Sequence, residues 1–213
     1  MNYNVCGVVI RSENAAKPYT MASKDICEYI RKLEKNGCAL DYGCGKLRYS
    51  EQLVEKFENV TFLDSKKQLE RVQMIRGEKT TVLKYIDKNY KKANYVFCED
   101  VEKIVLEYDF ILCANVLSAI PCQSTIDNIF LNIKRLLSLN GEALIVNQYK
   151  CSSFNKYKNG TEYLYGHINK NCRGSFYYGL LSNKLVESIC LRNGLSVINS
   201  WSKNGSSYVS VAI

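Results

Sequence analysis

Four polar clusters could do chemistry, and each stands directly behind an apolar run. Asp41-Tyr42-Gly43-Cys44-Gly45 follows Cys38-Ala39-Leu40, and Asp64-Ser65 follows Val60-Thr61-Phe62-Leu63. Glu99-Asp100 follows Tyr95-Val96-Phe97-Cys98, and Asn115 follows the run from Tyr108 to Ala114. If the runs are parallel strands, the polar residues gather at the carboxyl edge of one sheet, where open α/β sheets bind ligands. Glycines at 43 and 45 let the backbone approach a ligand closely. A carboxylate at Asp64 can accept both hydroxyls of a ribose. Asp100 suits an adenine amino group, and Asn115 faces the same cleft. Any one of these acids alone reads as a turn residue or helix cap. Three at successive strand ends read as a site.

The intervening segments are those such a sheet requires. Ile26, Tyr29, Ile30 and Leu33 fall at helical spacing behind Ser23, a capping residue, and Asn36-Gly37 ends that helix. Leu53, Val54 and Phe57 mark a second helix, and Leu69, Val72 and Ile75 predict a third over Lys66 to Ile75. Ile126, Ile129, Ile133, Leu136 and Leu137 mark a long one, closed by Asn140-Gly141 before a fifth strand, Ala143 to Val146. Strands alternating with helices, and strands apolar throughout, predict a parallel sheet covered on both faces. A last helix, Asn183 to Arg192, precedes two strand-like runs, Leu195 to Trp201 and Ser207 to Ile213, with Asn204-Gly205 between them. Asn-Gly is a hairpin signal. The expected fold is a three-layer, doubly wound, mostly parallel α/β sheet with a C-terminal antiparallel hairpin. Residues 1–20 lack periodicity, and Asn14 to Tyr19 reads as a loop broken by Pro18.

In this order and spacing the clusters resemble the motifs of class I, Rossmann-like S-adenosylmethionine-dependent methyltransferases. Leu40 to Gly45 is similar to the family's first motif, an acidic residue followed by G-x-G. Thr61-Phe62-Leu63-Asp64-Ser65 resembles the second, and Cys98-Glu99-Asp100-Val101 the third. Asp109 to Leu117 resembles the fourth, and Leu136 to Val146 the helix, glycine turn and fifth strand. The resemblance covers residues 38–148 and the terminal hairpin. It implies S-adenosyl-L-methionine as cofactor. It also implies that Asp41 approaches the cofactor's amino group, directly or through water, Gly43 and Gly45 lie beside the methionine moiety, Asp64 holds the ribose, and Asp100 with Val101 the adenine, with Ser65 of the second motif also among the cofactor-binding residues. Asn115 completes the set, and Tyr19 in Lys17-Pro18-Tyr19-Thr20 closes over it unless that segment is a plain turn. Leu47 departs from the family, which often has a small residue there. A nicotinamide or flavin enzyme would carry a third glycine where Arg48 stands.

Composition narrows the setting. A chain of 213 residues, 46% hydrophobic and 23% charged, suits one α/β domain. Within 1–213, residues 1–37 are expected to cap the cofactor and acceptor, and 149–181 to form an acceptor-side insertion. No apolar run reaches membrane-spanning length and no signal peptide is evident, so a cytoplasmic protein without membrane partners is expected. The ten cysteines form no CxxC pair and are expected to be reduced, and with a single histidine no metal site is expected. Eight of the basic residues lie between Lys150 and Lys203 against Glu162 and Glu187, so this stretch carries most of the net charge of +8.

That stretch also holds Tyr149, Phe154, Tyr157, Tyr163, Tyr165, Phe176, Tyr177, Tyr178 and His167. One reading is a lid over a small-molecule acceptor, with His167 as catalytic base. The alternative is a nucleic-acid surface, lysines on phosphates and aromatics on bases. A catalytically silent cofactor-binding protein is a third. Asn115-Val116-Leu117-Ser118 lacks the Pro-Pro-aromatic element of amino-methylating DNA enzymes. Pro121-Cys122 stands too far past Asn115 for the cytosine-C5 nucleophile and reads as a helix start. Oligomeric state has no signature here.

Overall fold

The apolar runs become the interior of a seven-stranded sheet in a computed structural model that describes residues 2–34, 36–150, 152–171 and 174–213. In chain order the elements begin with β1 (Asn2–Val5), β2 (Val8–Arg11), α1 (Lys24–Lys32), β3 (Cys38–Tyr42), α2 (Ser50–Lys56), β4 (Asn59–Asp64) and α3 (Lys66–Glu70). They continue with β5 (Gln73–Ile75), β6 (Glu78–Thr80), α4 (Val82–Asn89), β7 (Ala93–Phe97), β8 (Tyr108–Ala114), α5 (Gln123–Leu136) and β9 (Leu137–Gln148). The last are β10 (Thr161–Tyr163), β11 (Gly166–Asn171), β12 (Gly174–Gly179), α6 (Asn183–Arg192), β13 (Ser196–Lys203) and β14 (Ser206–Ala212).

The large sheet has the order β13-β14-β9-β8-β3-β4-β7. β7, β4, β3, β8 and β9 are mutually parallel, and β14 runs antiparallel between β9 and β13. Strand alternation divides the core between the two faces. Leu40, Ile111, Cys113 and Ile145 pack under α5 and α6 through Ile126, Phe130, Ile133, Val186 and Ile189. Ala39, Phe62, Phe110 and Leu112 pack under α1, α2 and α4 through Ile26, Ile30, Leu53, Val82 and Ile86. The result is the expected three-layer α/β sheet with its terminal hairpin, Asn204-Gly205 forming the turn.

Several local expectations are corrected. The predicted helix over Lys66 to Ile75 ends at Glu70, and Gln73 to Thr80 forms a separate hairpin, β5–β6. Its turn, Arg76-Gly77, has φ of 48° and 86°, the mirror-image geometry that matches strand twist. Val72, which the helix would bury, is 63% exposed, while Ile75 is buried from the hairpin. α4 is a helix beyond those expected: Val82 and Ile86 lie one turn apart, and Thr81 caps it by accepting the Lys84 N–H at 3.2 Å. Residues 2–11 form a hairpin rather than unstructured chain. Asn140-Gly141 does not separate helix from strand. β9 begins at Leu137, and the register breaks between Tyr108 and Phe110, so those residues bulge out.

The segment between β9 and α6 is a three-stranded antiparallel sheet, β10-β11-β12. It packs on the N-terminal hairpin through a third small core of Val5, Ile10, Ile168 and Tyr177. Among the described residues no helix is long and apolar enough to cross a membrane.

Candidate functional site

The parallel strands end together, and a cleft of about 780 Å³ opens there. Asp41, Gly43, Gly45, Asp64, Ser65, Val101 and Asn115 all line it. The glycine bend is held by the neighbouring strand: Gly43 and Cys44 donate their N–H groups to the Leu63 carbonyl at 2.7 and 3.0 Å. Gly43 has φ of 83°, and a Cβ there would overlap the Val116 side chain. Only glycine meets both constraints. Leu47, the family departure, takes a left-handed φ of 56° and is fully buried, so the larger residue is absorbed into the core rather than displacing the bend. Arg48 lies in the loop before α2 and lines the cleft, with its guanidinium 5.8 Å from the Tyr49 ring centre.

Two carboxylates stand at the strand tips of the cleft. Asp64 Oδ2 accepts the Gly45 N–H at 2.9 Å, and its Oδ1 accepts the Ser65 N–H at 2.7 Å. Ser65 Oγ in turn caps α3 by accepting from the Gln68 N–H at 3.3 Å. Burial raises the Asp64 pKa above the usual carboxylate value, while the Gly45 and Ser65 amides oppose the shift. Asp41 is buried at 3% exposure, and its Oδ2 has no hydrogen-bond partner. Burial first, then the Asp64 charge, push its carboxyl up to about 7, with Arg48 pulling the other way. An orphaned, buried carboxylate oxygen aimed at a cleft is a place for a cationic donor.

Asn115 ends β8 with φ of 62°. Its N–H donates to the Val146 carbonyl at 2.7 Å, and its buried Oδ1 has no partner. Asparagine tolerates this left-handed backbone better than most residues, and such outliers concentrate at functional sites.

Three of the named residues are not brought in. Asp100 pairs with Lys103 at 2.6 Å, its side chain 40% exposed, and its neighbours Val101 and Glu102 line the cleft instead. Tyr19 stacks against the Arg76 guanidinium at 4.6 Å, away from the cleft lining. His167 lies on β11 opposite Tyr178, outside the cleft lining, and its buried Nδ1 has no partner.

The cleft also receives residues that sequence reasoning did not name. Glu13 reaches it from the N-terminal strap, fixed by Lys67 at 2.7 Å and by Arg71, which donates to the Glu13 carbonyl at 2.8 Å. Tyr3 comes from β1, and Asn132 and Arg135 from α5. Arg135 donates to the Val101 and Ile104 carbonyls, each at 2.8 Å, and so holds the segment after β7. No local pattern marks these residues, because they arrive from distant parts of the chain.

A second cavity of about 800 Å³ adjoins the first, and Lys17, Arg48, Asn115 and Ala119 line both. Its far wall is aromatic, formed by Tyr157, Phe176, Tyr177 and Tyr178. A glycine bend, paired acids at strand tips and an adjoining chamber, on this strand order, define a protein of Rossmann-like methyltransferase fold. Solved structures agree at the level of fold. A S-adenosylmethionine-dependent methyltransferase from Clostridium acetobutylicum ATCC 824 superposes with a TM-score of 0.65 at 13% identity, covering 94% of each chain. The DhpI-SAM-HEP complex gives 0.63 at 14%, covering 87% of this chain and 83% of that one.

The family model for tellurite resistance protein TehB matches residues 11–159. The chain belongs to that family. It is also 62% identical over 211 residues to the uncharacterized protein YmfD of Escherichia coli (strain K12), covering 99% of this chain and 96% of that protein.

Proposed function

We propose that the protein binds S-adenosyl-L-methionine in the cleft at the strand tips and transfers its methyl group to a small-molecule acceptor in the adjoining cavity. The observation that carries this reading is the pairing of the glycine bend with the orphaned Asp41 carboxylate and the loop-bound Asp64. Solved proteins of this fold whose descriptions include S-adenosylmethionine or S-adenosylhomocysteine support the choice of cofactor. When bound, the cofactor supplies an activated methyl group on a sulfonium, so positioning of the acceptor dominates the chemistry.

The chain's own residues divide the work. Asp41 receives the cofactor's ammonium group. Gly43 and Gly45 let the backbone lie against the methionine moiety, and Asp64, already oriented by two amides, accepts ribose hydroxyls with its remaining lone pairs. Val101 provides an apolar wall for the adenine. Asp100 takes part only if it leaves Lys103, and Tyr19 only if it leaves Arg76. The hairpin β1–β2 packs on the β10–β12 sheet, and together with the strap they border the two cavities. His167 as a base requires a movement of β11, so the reading favours an acceptor that needs no base from this histidine.

Isothermal calorimetry tests the cofactor. S-adenosylhomocysteine should bind and NAD should not. Asp64→Ala should weaken S-adenosylhomocysteine binding by about 1.5–3 kcal/mol, the value of a hydrogen bond to a charged group. Unchanged affinity removes Asp64 from the site, and failure of the wild type to bind removes the reading. Incubation of methyl-labelled cofactor with cell extract then sorts acceptors. Label in small molecules supports the proposal, and label in RNA or DNA supports the basic C-terminal surface as a nucleic-acid site. No transfer points to a silent cofactor-binding protein. Tellurite, which the family's description mentions, belongs in the same assay.

A further inference from the structure

We infer that the second cavity is built for an organic anion, an acceptor carrying a carboxylate, phosphate or phosphonate on an apolar or aromatic body. The inference rests on the cofactor reading above and assigns the acceptor class for that same site. It stands on the absence of acids from the described lining of the second cavity, where the first has both signs. The cofactor cleft is lined by both signs, Glu13, Asp41, Asp64 and Glu102 beside Lys17, Lys46, Arg48 and Arg135. The second cavity has no aspartate or glutamate among its described lining residues, yet Arg11, Lys17, Lys46, Arg48 and Arg71 line it. Arg11 and Arg71 line this cavity alone, and Lys17, Lys46 and Arg48 stand on its boundary with the cleft. With no carboxylate in its own described wall, the cavity has a positive potential, which the low-dielectric aromatic wall concentrates.

The size and shape of the cavity select within anions. About 800 Å³ is far more than one inorganic oxyanion fills, and it lies in the ordinary range of small-molecule pockets. Tyr157, Phe176, Tyr177 and Tyr178 offer ring faces and edges for an apolar body. The cations come from three parts of the chain: the β2 end and strap, the β3–α2 loop, and the end of α3. Arg71 is fixed by its bond to the Glu13 carbonyl, and its buried Nε has no partner. Asn115, with Lys17, Lys46 and Arg48, lies at the junction of the two cavities, and those acids lie on the cleft side only. A positively charged methyl donor on one side and an anionic acceptor on the other attract each other, so this arrangement also favours productive encounter.

The test uses the full-length protein saturated with S-adenosylhomocysteine and titrated with salicylate, phenylphosphonate, the neutral salicylamide and inorganic phosphate. Salicylate and phenylphosphonate should bind at least about tenfold tighter than salicylamide and than phosphate alone, and their affinity should fall with added salt. Arg11 lines only the second cavity. Arg11→Gln should therefore weaken the organic anions about fivefold, the upper end for an exposed ion pair. Its melting temperature and S-adenosylhomocysteine affinity should not change. The double variant Arg11→Gln/Lys17→Gln should lose more. In parallel, passing a small-metabolite extract over a strong anion exchanger should remove the pool that accepts labelled methyl groups.

Salicylamide binding as well as salicylate, anion affinity indifferent to Arg11→Gln and salt, or labelled product from the exchanger's flow-through would each overturn the inference. Phosphate alone binding as tightly as the organic anions would overturn the organic part. If wild-type protein does not bind S-adenosylhomocysteine, the cofactor reading has failed instead, and the two failures are distinct.

Discussion

Asp41 is where burial, charge and ligand chemistry meet. Its ordinary carboxyl value of 3.8 is raised to about 7 in the fold. A raised acid contributes stability fully below its unfolded value and loses that contribution as pH climbs through its folded value. The free protein should therefore melt at lower temperature as pH rises from about 4 to about 7, to an extent that Asp41→Asn removes. A cationic ligand needs the ionised carboxylate. S-adenosylhomocysteine affinity should thus rise by up to about tenfold per unit as pH approaches 7 from below, then level off. Calorimetry from about pH 5 to about pH 9 checks this, and a flat profile in the wild type would separate Asp41 from the ammonium group. Asn115 makes a second residue-scale case. Asn115→Gly keeps the left-handed backbone and should leave the melting temperature unchanged while reducing methyl transfer. Asn115→Ala should in addition cost about 1 kcal/mol of stability, from strain at a positive φ. Equal turnover in wild type and Asn115→Gly would remove the amide from the reaction.

At the scale of elements, the strap is the least expected feature. Pro18 and the lack of periodicity predict a loop over Asn14 to Tyr19, yet Ser12–Ala15 forms a short 3₁₀ turn pinned to α3. Lys67 and Arg71 are one helical turn apart in number, which is how both reach Glu13. Glu13→Ala should release the strap, seen as faster hydrogen exchange over residues 12–17. It should weaken S-adenosylhomocysteine several-fold without unfolding the sheet. Protected amides in this variant would show that other contacts hold the strap. α6 offers a control far from the cleft lining. Ser182 accepts the Leu185 N–H at 3.3 Å, so Ser182→Ala should cost about 1 kcal/mol of stability with S-adenosylhomocysteine affinity unchanged. α3 is also shorter than its spacing predicts. Leu69, Val72 and Ile75 satisfy helical spacing by coincidence, because a short helix and a following hairpin each bury one of them and Val72 points outward.

For the molecule as a whole, the terminal hairpin is structural before it is functional. β14 covers the edge of β9 along residues 143–148, and α6 packs behind it. Truncation before residue 195 would leave β9 as an exposed, apolar sheet edge, a template for association. Such a chain should be recovered as aggregate, as size-exclusion chromatography would show. A monodisperse truncated protein would mean that β9 tolerates an open edge.

Composition and pattern alone determined the central architecture and the first four strand tips. Strands of five to seven residues built on apolar runs have only a sheet interior to fill, and the polar residues that end or follow those runs fall at the sheet's edge. This made Asp41, Gly43, Gly45, Asp64 and Asn115 legible as one cluster, and the resemblance to the methyltransferase motifs added Ser65 and Val101. It could not say that Asp100 turns aside to Lys103, because a side chain's rotamer answers to its nearest partner rather than to its position in a motif. Nor could it assemble the second cavity. Arg11, Arg48 and Arg71 are ordinary surface residues in a linear reading. Only the packing of the N-terminal hairpin on β10–β12, beside the β3–α2 loop and α3, turns them toward one space. Local sequence sets the period of each element, and long-range packing decides which charges share a cavity.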